Sequence, residues 1–164
     1  MSNRDFNHHE PIAFFITWTT YGTWLPGDDR GWRKRGSGEI LEPSVNFRTM
    51  AVADMKEPAF VMKHMDRQIV QETIARHCTI RGWRLHAANA RSNHVHAVLT
   101  ASGYSPETVR DQLKAWCTRM LKQVHRERER FWTEGASCRW INQTDDLESA
   151  IIYTRDGQDH HLDT

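Results

Sequence analysis

The chain has 164 residues, 38% of them apolar and 26% charged, and its 22 Lys plus Arg nearly balance 21 Asp plus Glu, for a formal net charge of +1. That length suits one domain, and the composition excludes a membrane protein and argues against an extended disordered chain. The charge balance excludes a globally basic nucleic-acid coat, so binding to phosphate must come from local patches. Three cysteines, Cys78, Cys117 and Cys138, are odd in number and widely spaced. They point away from a disulfide framework or zinc knuckle and toward a reducing, cytoplasmic setting.

Residues 1–10 are polar and read as a loose start. Residues 11–20, PIAFFITWTT, are rich in aromatic and β-branched types and read as a buried strand. The apolar run from Ile12 to Trp18 is too short to span a bilayer. Residues 21–65 change character. Gly22, Pro26, Gly27, Gly31, Gly36, Gly38 and Pro43 punctuate them, with Trp24 and Trp32 between, which predicts a long loop or insertion. Within it, Arg33, Lys34 and Arg35 follow Trp32. Cations beside an aromatic ring suit a single-strand platform, although a solvated loop has the same composition.

Residues 66–158 read as the core of one domain covering 1–164. A helix is expected from Asp66, as N-cap, to about Ile80, with Val70, Ile74 and Cys78 at helical spacing and Gly82 as the stop. Residues 83–90 and 94–100 read as a hairpin. Ser105-Pro106-Glu107 opens a second helix: Ser as cap, Pro at the first helical position and Glu at the positive end of the dipole. Val109, Leu113, Trp116, Met120 and Val124 form its apolar stripe. Its other face carries Arg110, Lys114, Arg119, Lys122, Arg126, Arg128 and Arg130, a phosphate-binding surface or simply a solvated one. Residues 131–141 read as a strand turned at Gly135, and a last helix near Asp145 or Asp146 carries Leu147, Ala150, Ile151 and Tyr153. The order predicts an α+β, ferredoxin-like four-stranded antiparallel sheet with helices on one face, a long insertion after the first strand and a C-terminal helix carrying the tyrosine.

The chemistry concentrates at Asn93-His94-Val95-His96-Ala97-Val98-Leu99. On a strand, i and i+2 share a face, so His94 and His96 project together while Val95, Ala97 and Leu99 turn toward the helices. Two such imidazoles make half of a divalent-metal site. In a chain with ten histidines, the pair by itself is as compatible with chance. Tyr153 is one of only three tyrosines, and a tyrosine beside an apolar helix face is ordinarily a core or rim residue.

The segment from Ser92 to Leu99, a basic helix and a late helix with a lone tyrosine together resemble the single-tyrosine HUH transposases, nearest the REP-associated and insertion-sequence branches. The opening from Phe14 to Asp28 resembles the start of such proteins. The likeness covers 11–20 and roughly 66–158 and leaves 30–65 unexplained. It implies a metal-dependent DNA strand transferase that cuts single-stranded DNA at the foot of a hairpin and rejoins it through a 5′-phosphotyrosine. By that resemblance Tyr153 is the nucleophile, and His94 and His96 hold magnesium or manganese. Gln158 is the preferred third ligand and Asp156 the second choice, because the usual position one turn after the tyrosine is Gly157 here. DNA contacts fall to Arg33, Lys34, Arg35, Lys114, Arg119, Lys122 and Arg126. Insertion-sequence members work as homodimers and some REP-associated members as monomers, in the bacterial cytoplasm and nucleoid. Two rivals stand beside this reading: a non-catalytic hairpin or single-strand binding domain with vestigial histidines, and a zinc hydrolase using metal-bound water with Tyr153 structural.

Overall fold

The computed structural model describes residues 10–24, 32–33 and 39–156. In chain order they form β1 (Ala13–Thr19), β2 (Trp32–Arg33), β3 (Ile40–Leu41), α1 (Val45–Asp54), α2 (His64–Arg81), β4 (Arg84–Ala90), β5 (His94–Thr100), α3 (Pro106–Val124), β6 (Ser137–Ile141) and α4 (Thr144–Asp156). Four strands make one antiparallel sheet in the order β4-β5-β1-β6. Helices α2 and α3 each cross between strands two places apart in that order, which is the ferredoxin-like topology expected from the sequence.

Alternation along β1 builds the core. Phe14, Ile16 and Trp18 are buried on one face, in register with Leu99, Ala97 and Val95 of β5. Against them pack Val70, Ile74 and Cys78 of α2 and Val109, Leu113, Cys117 and Leu121 of α3. Each fully buried aliphatic side chain contributes about 1.5–3 kcal/mol relative to exposure. The opposite face of the sheet is covered by α4, whose Leu147, Ala150 and Ile151 meet Ala13, Phe15, Val98 and Ile141. The result is three layers: two helices, the sheet, one helix. No described helix is long and apolar enough to cross a membrane.

Several boundaries depart from expectation for local reasons. Helix α2 begins at His64 with Lys63 as its N-cap, not Asp66. Asp66 sits one turn in, and its Oδ2 accepts the Lys63 backbone N–H at 2.9 Å, satisfying a donor at the helix start. The helix does stop at Gly82, which takes the left-handed conformation at φ 70°. The stretch 21–65 is not all loop. It contains a two-residue ladder, β2 with β3, and the helix α1, capped by Ser44, whose Oγ accepts the Phe47 N–H at 3.3 Å. No residue of α1 is buried, so its apolar residues form no core-facing stripe that periodicity could detect. Helix α3 ends at Val124, so Arg126, Arg128 and Arg130 lie beyond it rather than on its face. His125, the C-cap, leaves the helical conformation and bonds Asp66, Nε2 to Oδ1 at 2.6 Å. Only Ser137–Ile141 of the 131–141 run is strand. Gly135, at φ 78°, turns the chain before it, as the sequence suggested.

Candidate active site

Strand β5 faces both ways. Val95, Ala97 and Leu99 point into the core, while His94, His96 and Val98 point to the face that α4 covers. The two imidazoles are therefore neighbours, with ring centroids 4.7 Å apart. Helix α4 brings Tyr153 to the same place. Asp145 and Asp146 occupy its first turn and Arg155 its last, so its charges complement the helix dipole. Leu147, Ala150 and Ile151 seat it on the sheet, and Tyr153, 48% exposed, stands at the edge of that contact. Its ring meets the His96 ring edge-on, with centroids 5.6 Å apart.

Phe15 of β1 completes the cluster. It stacks on His96 at 5.5 Å with planes 6° apart, and its edge contact to Tyr153 is 6.1 Å. Each imidazole is oriented by a neighbour. Nδ1 of His94 lies 2.7 Å from Oδ1 of Asn93, an oxygen that can only accept. His94 therefore donates from Nδ1, which turns Nε2 away from Asn93. Nδ1 of His96 lies 2.6 Å from Oγ1 of Thr17, whose hydroxyl can accept in the same way. Burial holds the His96 imidazole down to about 3, with the nearby charges of His94 and Arg91 adding to the effect. The ring is neutral throughout the physiological range, the form in which a histidine binds a metal.

The donor set fits a divalent cation: two adjacent imidazoles, each with Nδ1 engaged by a side-chain oxygen, the usual arrangement behind metal-binding histidines. Among the described residues no carboxylate or thiol joins them to make a three-donor group. Asp156 is exposed at the end of α4, and Gln158 lies outside the described residues. His86 shares this sheet face but bonds Thr100, Nε2 to Oγ1 at 2.8 Å, farther along β5.

Among the described residues, the expected DNA contacts on α3 lie away from this cluster. Arg33 belongs to the β2–β3 ladder, and Lys34 and Arg35 lie outside the described residues. Lys114, Arg119 and Lys122 are on α3, across the sheet from the imidazoles. Lys114 donates to the carbonyls of Thr133 and Gly135 at 2.9 Å each, and Lys122 to that of Arg128 at 2.7 Å. The Arg119 guanidinium sits 5.0 Å over the Trp116 ring. Arg126 is exposed just past the helix end. A cation that sequence reasoning passed over is better placed. Arg139 of the edge strand β6 is exposed and lies directly opposite Phe15 in register, on the His96 face. Alternation in Ser137-Cys138-Arg139 was the available signal, but only the register of β6 against β1 gives it meaning.

Comparison with solved structures finds a REP-associated tyrosine transposase bound to a REP hairpin, 14% identical, with 94% of this chain and 70% of that chain covered and a TM-score of 0.49. A candidate transposase from Deinococcus radiodurans R1 is 12% identical, with 91% and 92% covered and a TM-score of 0.49. No curated protein sequence matches the chain. The family described as "Transposase IS200 like" matches residues 44–153, more than half of the chain.

Proposed function

The chain belongs to the family of IS200-like transposases, proteins of DNA transposition, and on that premise we propose that it cuts and rejoins single-stranded DNA with Tyr153 as nucleophile. The observation that carries this reading is the meeting of Tyr153, on α4, with His96 and, through it, His94, on β5. The phenol is half exposed at the rim of the cluster, where a phosphate can reach it.

In the proposed reaction Oη of Tyr153 attacks a backbone phosphorus in line with the 3′ oxygen. A P–O bond to tyrosine forms and the P–O3′ bond breaks. The phenol proton passes to solvent, and the departing 3′ oxygen takes one up. The 5′ end stays on the protein as a phosphotyrosine, and a 3′-hydroxyl is released. Rejoining is the same exchange in reverse, with a 3′-hydroxyl attacking the phosphotyrosine, so no external energy source is consumed. His94 and His96 would hold magnesium or manganese, with Gln158 or Asp156 as third donor; when bound, the cation supplies positive charge at a non-bridging phosphate oxygen. Thr17 and Asn93 hold the imidazoles in the required orientation. Phe15 limits the freedom of both the His96 and Tyr153 rings. Tyr153, His94 and His96 meet within one chain, so the proposed reaction needs no second protomer to bring the nucleophile to the imidazoles.

The test is incubation with a hairpin-bearing single strand and manganese, followed by denaturing electrophoresis. A protein-linked strand is expected. Tyr153→Phe should eliminate it while leaving DNA binding nearly intact, and an undiminished adduct in that variant refutes the assignment. His94→Ala or a chelator should stop cleavage. Salt-sensitive binding without cleavage identifies a pure binding domain instead, and cleavage without a protein-linked product identifies a hydrolase that uses metal-bound water.

A further inference from the structure

Thr154 follows Tyr153 in the last turn of α4. Its backbone carbonyl lies in the last described turn of the helix, where a side-chain donor is a common way to satisfy it. The residue is 0% exposed, so bulk water does not serve it. Asn89 of β4 donates from Nδ2 to the Thr154 carbonyl oxygen at 3.0 Å. Asn89 is also the cross-strand neighbour of His96. One side chain thus ties the residue after the tyrosine to the strand that flanks the imidazole.

Much of the grip on α4 is of a different kind. Leu147, Ala150 and Ile151 rest on apolar groups of the sheet. Such contacts are non-directional, and a helix can slide or roll by small amounts across them at little cost. A hydrogen bond weakens steeply once its angle or length departs from ideal, so it selects one height and one rotation of the helix.

We infer that Asn89 is a positioning residue for the nucleophile: its amide sets the height and roll of α4 on the sheet, and with them the approach of Tyr153 to His96. Its catalytic consequence builds on Tyr153 as the nucleophile; its structural consequence does not. Asn89 touches neither the phenol nor the imidazoles through any polar contact, so its effect is on geometry rather than on chemistry.

The three tyrosines make a selective measurement feasible. The full chain labelled with 3-fluorotyrosine gives three fluorine resonances, assigned by single Tyr→Phe variants. Tyr21, whose hydroxyl accepts the Lys56 N–H at 2.9 Å, and Tyr104, whose ring stands 5.1 Å from that of Trp83, report on the fold away from α4. Asn89→Leu removes the donor at nearly constant volume and no change in charge. The Tyr153 resonance should move toward that of free fluorotyrosine while the other two stay. The rate of adduct formation at saturating DNA should fall by about ten- to a hundredfold, the usual scale for a misplacement near 1 Å, with DNA affinity unchanged. A Tyr153 resonance that does not move overturns the inference. If the native chain forms no adduct but its Tyr153 resonance moves in the variant, the transposase chemistry fails and the positioning role stands. Should all three resonances collapse in Asn89→Leu, Asn89→Asp, of the same shape but with no N–H to donate, is judged by the same resonance.

Discussion

The Tyr153 phenol and the His96 imidazole meet edge to face, with centroids 5.6 Å apart and planes at 74°, although one ring rides on the last helix and the other on a central strand. The contact exists because β5 alternates. The same strand that sends Val95, Ala97 and Leu99 into the core sends His94 and His96 to the face on which α4 lies. The exposed phenol keeps one side of the cluster open.

Thr17 is the first place to test how that cluster is held. Its Oγ1 is 2.6 Å from Nδ1 of His96, the only ring nitrogen that a metal on Nε2 would leave for it. Thr17→Val removes the hydroxyl while keeping the branched shape. Manganese affinity, measured by calorimetry on the full chain, should fall by about 10–100-fold, the range for losing an orienting partner behind a metal-binding histidine. Thr17→Ser should retain most of it. Equal affinity in the Val variant would show that the hydroxyl does not orient the ring.

The pair His94 and His96 was legible because strand alternation needs only the sequence, and so was the Ser105-Pro106 start of α3, because capping is local. The rest depended on tertiary placement. Asp66 has the chemistry of an N-cap, yet it serves from one turn inside α2, because the chain from Phe60 to Lys63 is already fixed by the backbone bonds of Phe60 to Tyr21 and Met62 to Ser92. The basic run after Val124 continues a helical pattern, but the chain leaves the helix at His125, whose ring bonds Asp66 of α2. Thr17 and Asn89 carry no signal of their own and Arg139 only strand alternation; each matters through its register neighbour, His96 for the first two and Phe15 for the third. Lys114 and Lys122 look like surface cations in a sequence, and only the packing reveals the carbonyls they satisfy.

The cysteines give a pH-dependent prediction. Burial pushes the Cys78 thiol up to about 11 and raises those of Cys117 and Cys138 as well. A raised thiol pKa favours the protonated form, and the thiolate is the species that alkylates. At pH 8 iodoacetamide should leave Cys78 and Cys117 unmodified in the native chain, with all three modified once urea unfolds it, as read by mass spectrometry. The same shift has a stability consequence. The unfolded chain loses the Cys78 proton near pH 9 and the folded chain only near 11, so this contribution is complete below pH 9 and is lost as the pH rises toward 11. The urea midpoint should fall over that interval, and rapid alkylation of native Cys78 at pH 8 would contradict its burial.

Arg139 and Lys114 make opposite predictions from the same kind of charge. Arg139 is exposed on β6 opposite Phe15, on the face that holds His96 and Tyr153. A phosphate arriving at the phenol comes within reach of an arginine there. Arg139→Gln should weaken single-strand binding and lower the slope of log affinity against log salt by about 0.7, the contribution of one phosphate contact on a single strand. Stability should change by less than about 0.5 kcal/mol, as for an ordinary surface substitution. Lys114 instead lies across the sheet with its ammonium bonded to the carbonyls of Thr133 and Gly135, in the turn that leads into β6. Lys114→Met should leave the salt slope unchanged and lower stability by about 1–3 kcal/mol, since two carbonyls lose a charged donor. Urea titration and a salt series on both variants measure the contrast. A reduced salt slope in Lys114→Met, with Arg139→Gln unaffected, would move the DNA path to the α3 side of the sheet and away from the tyrosine.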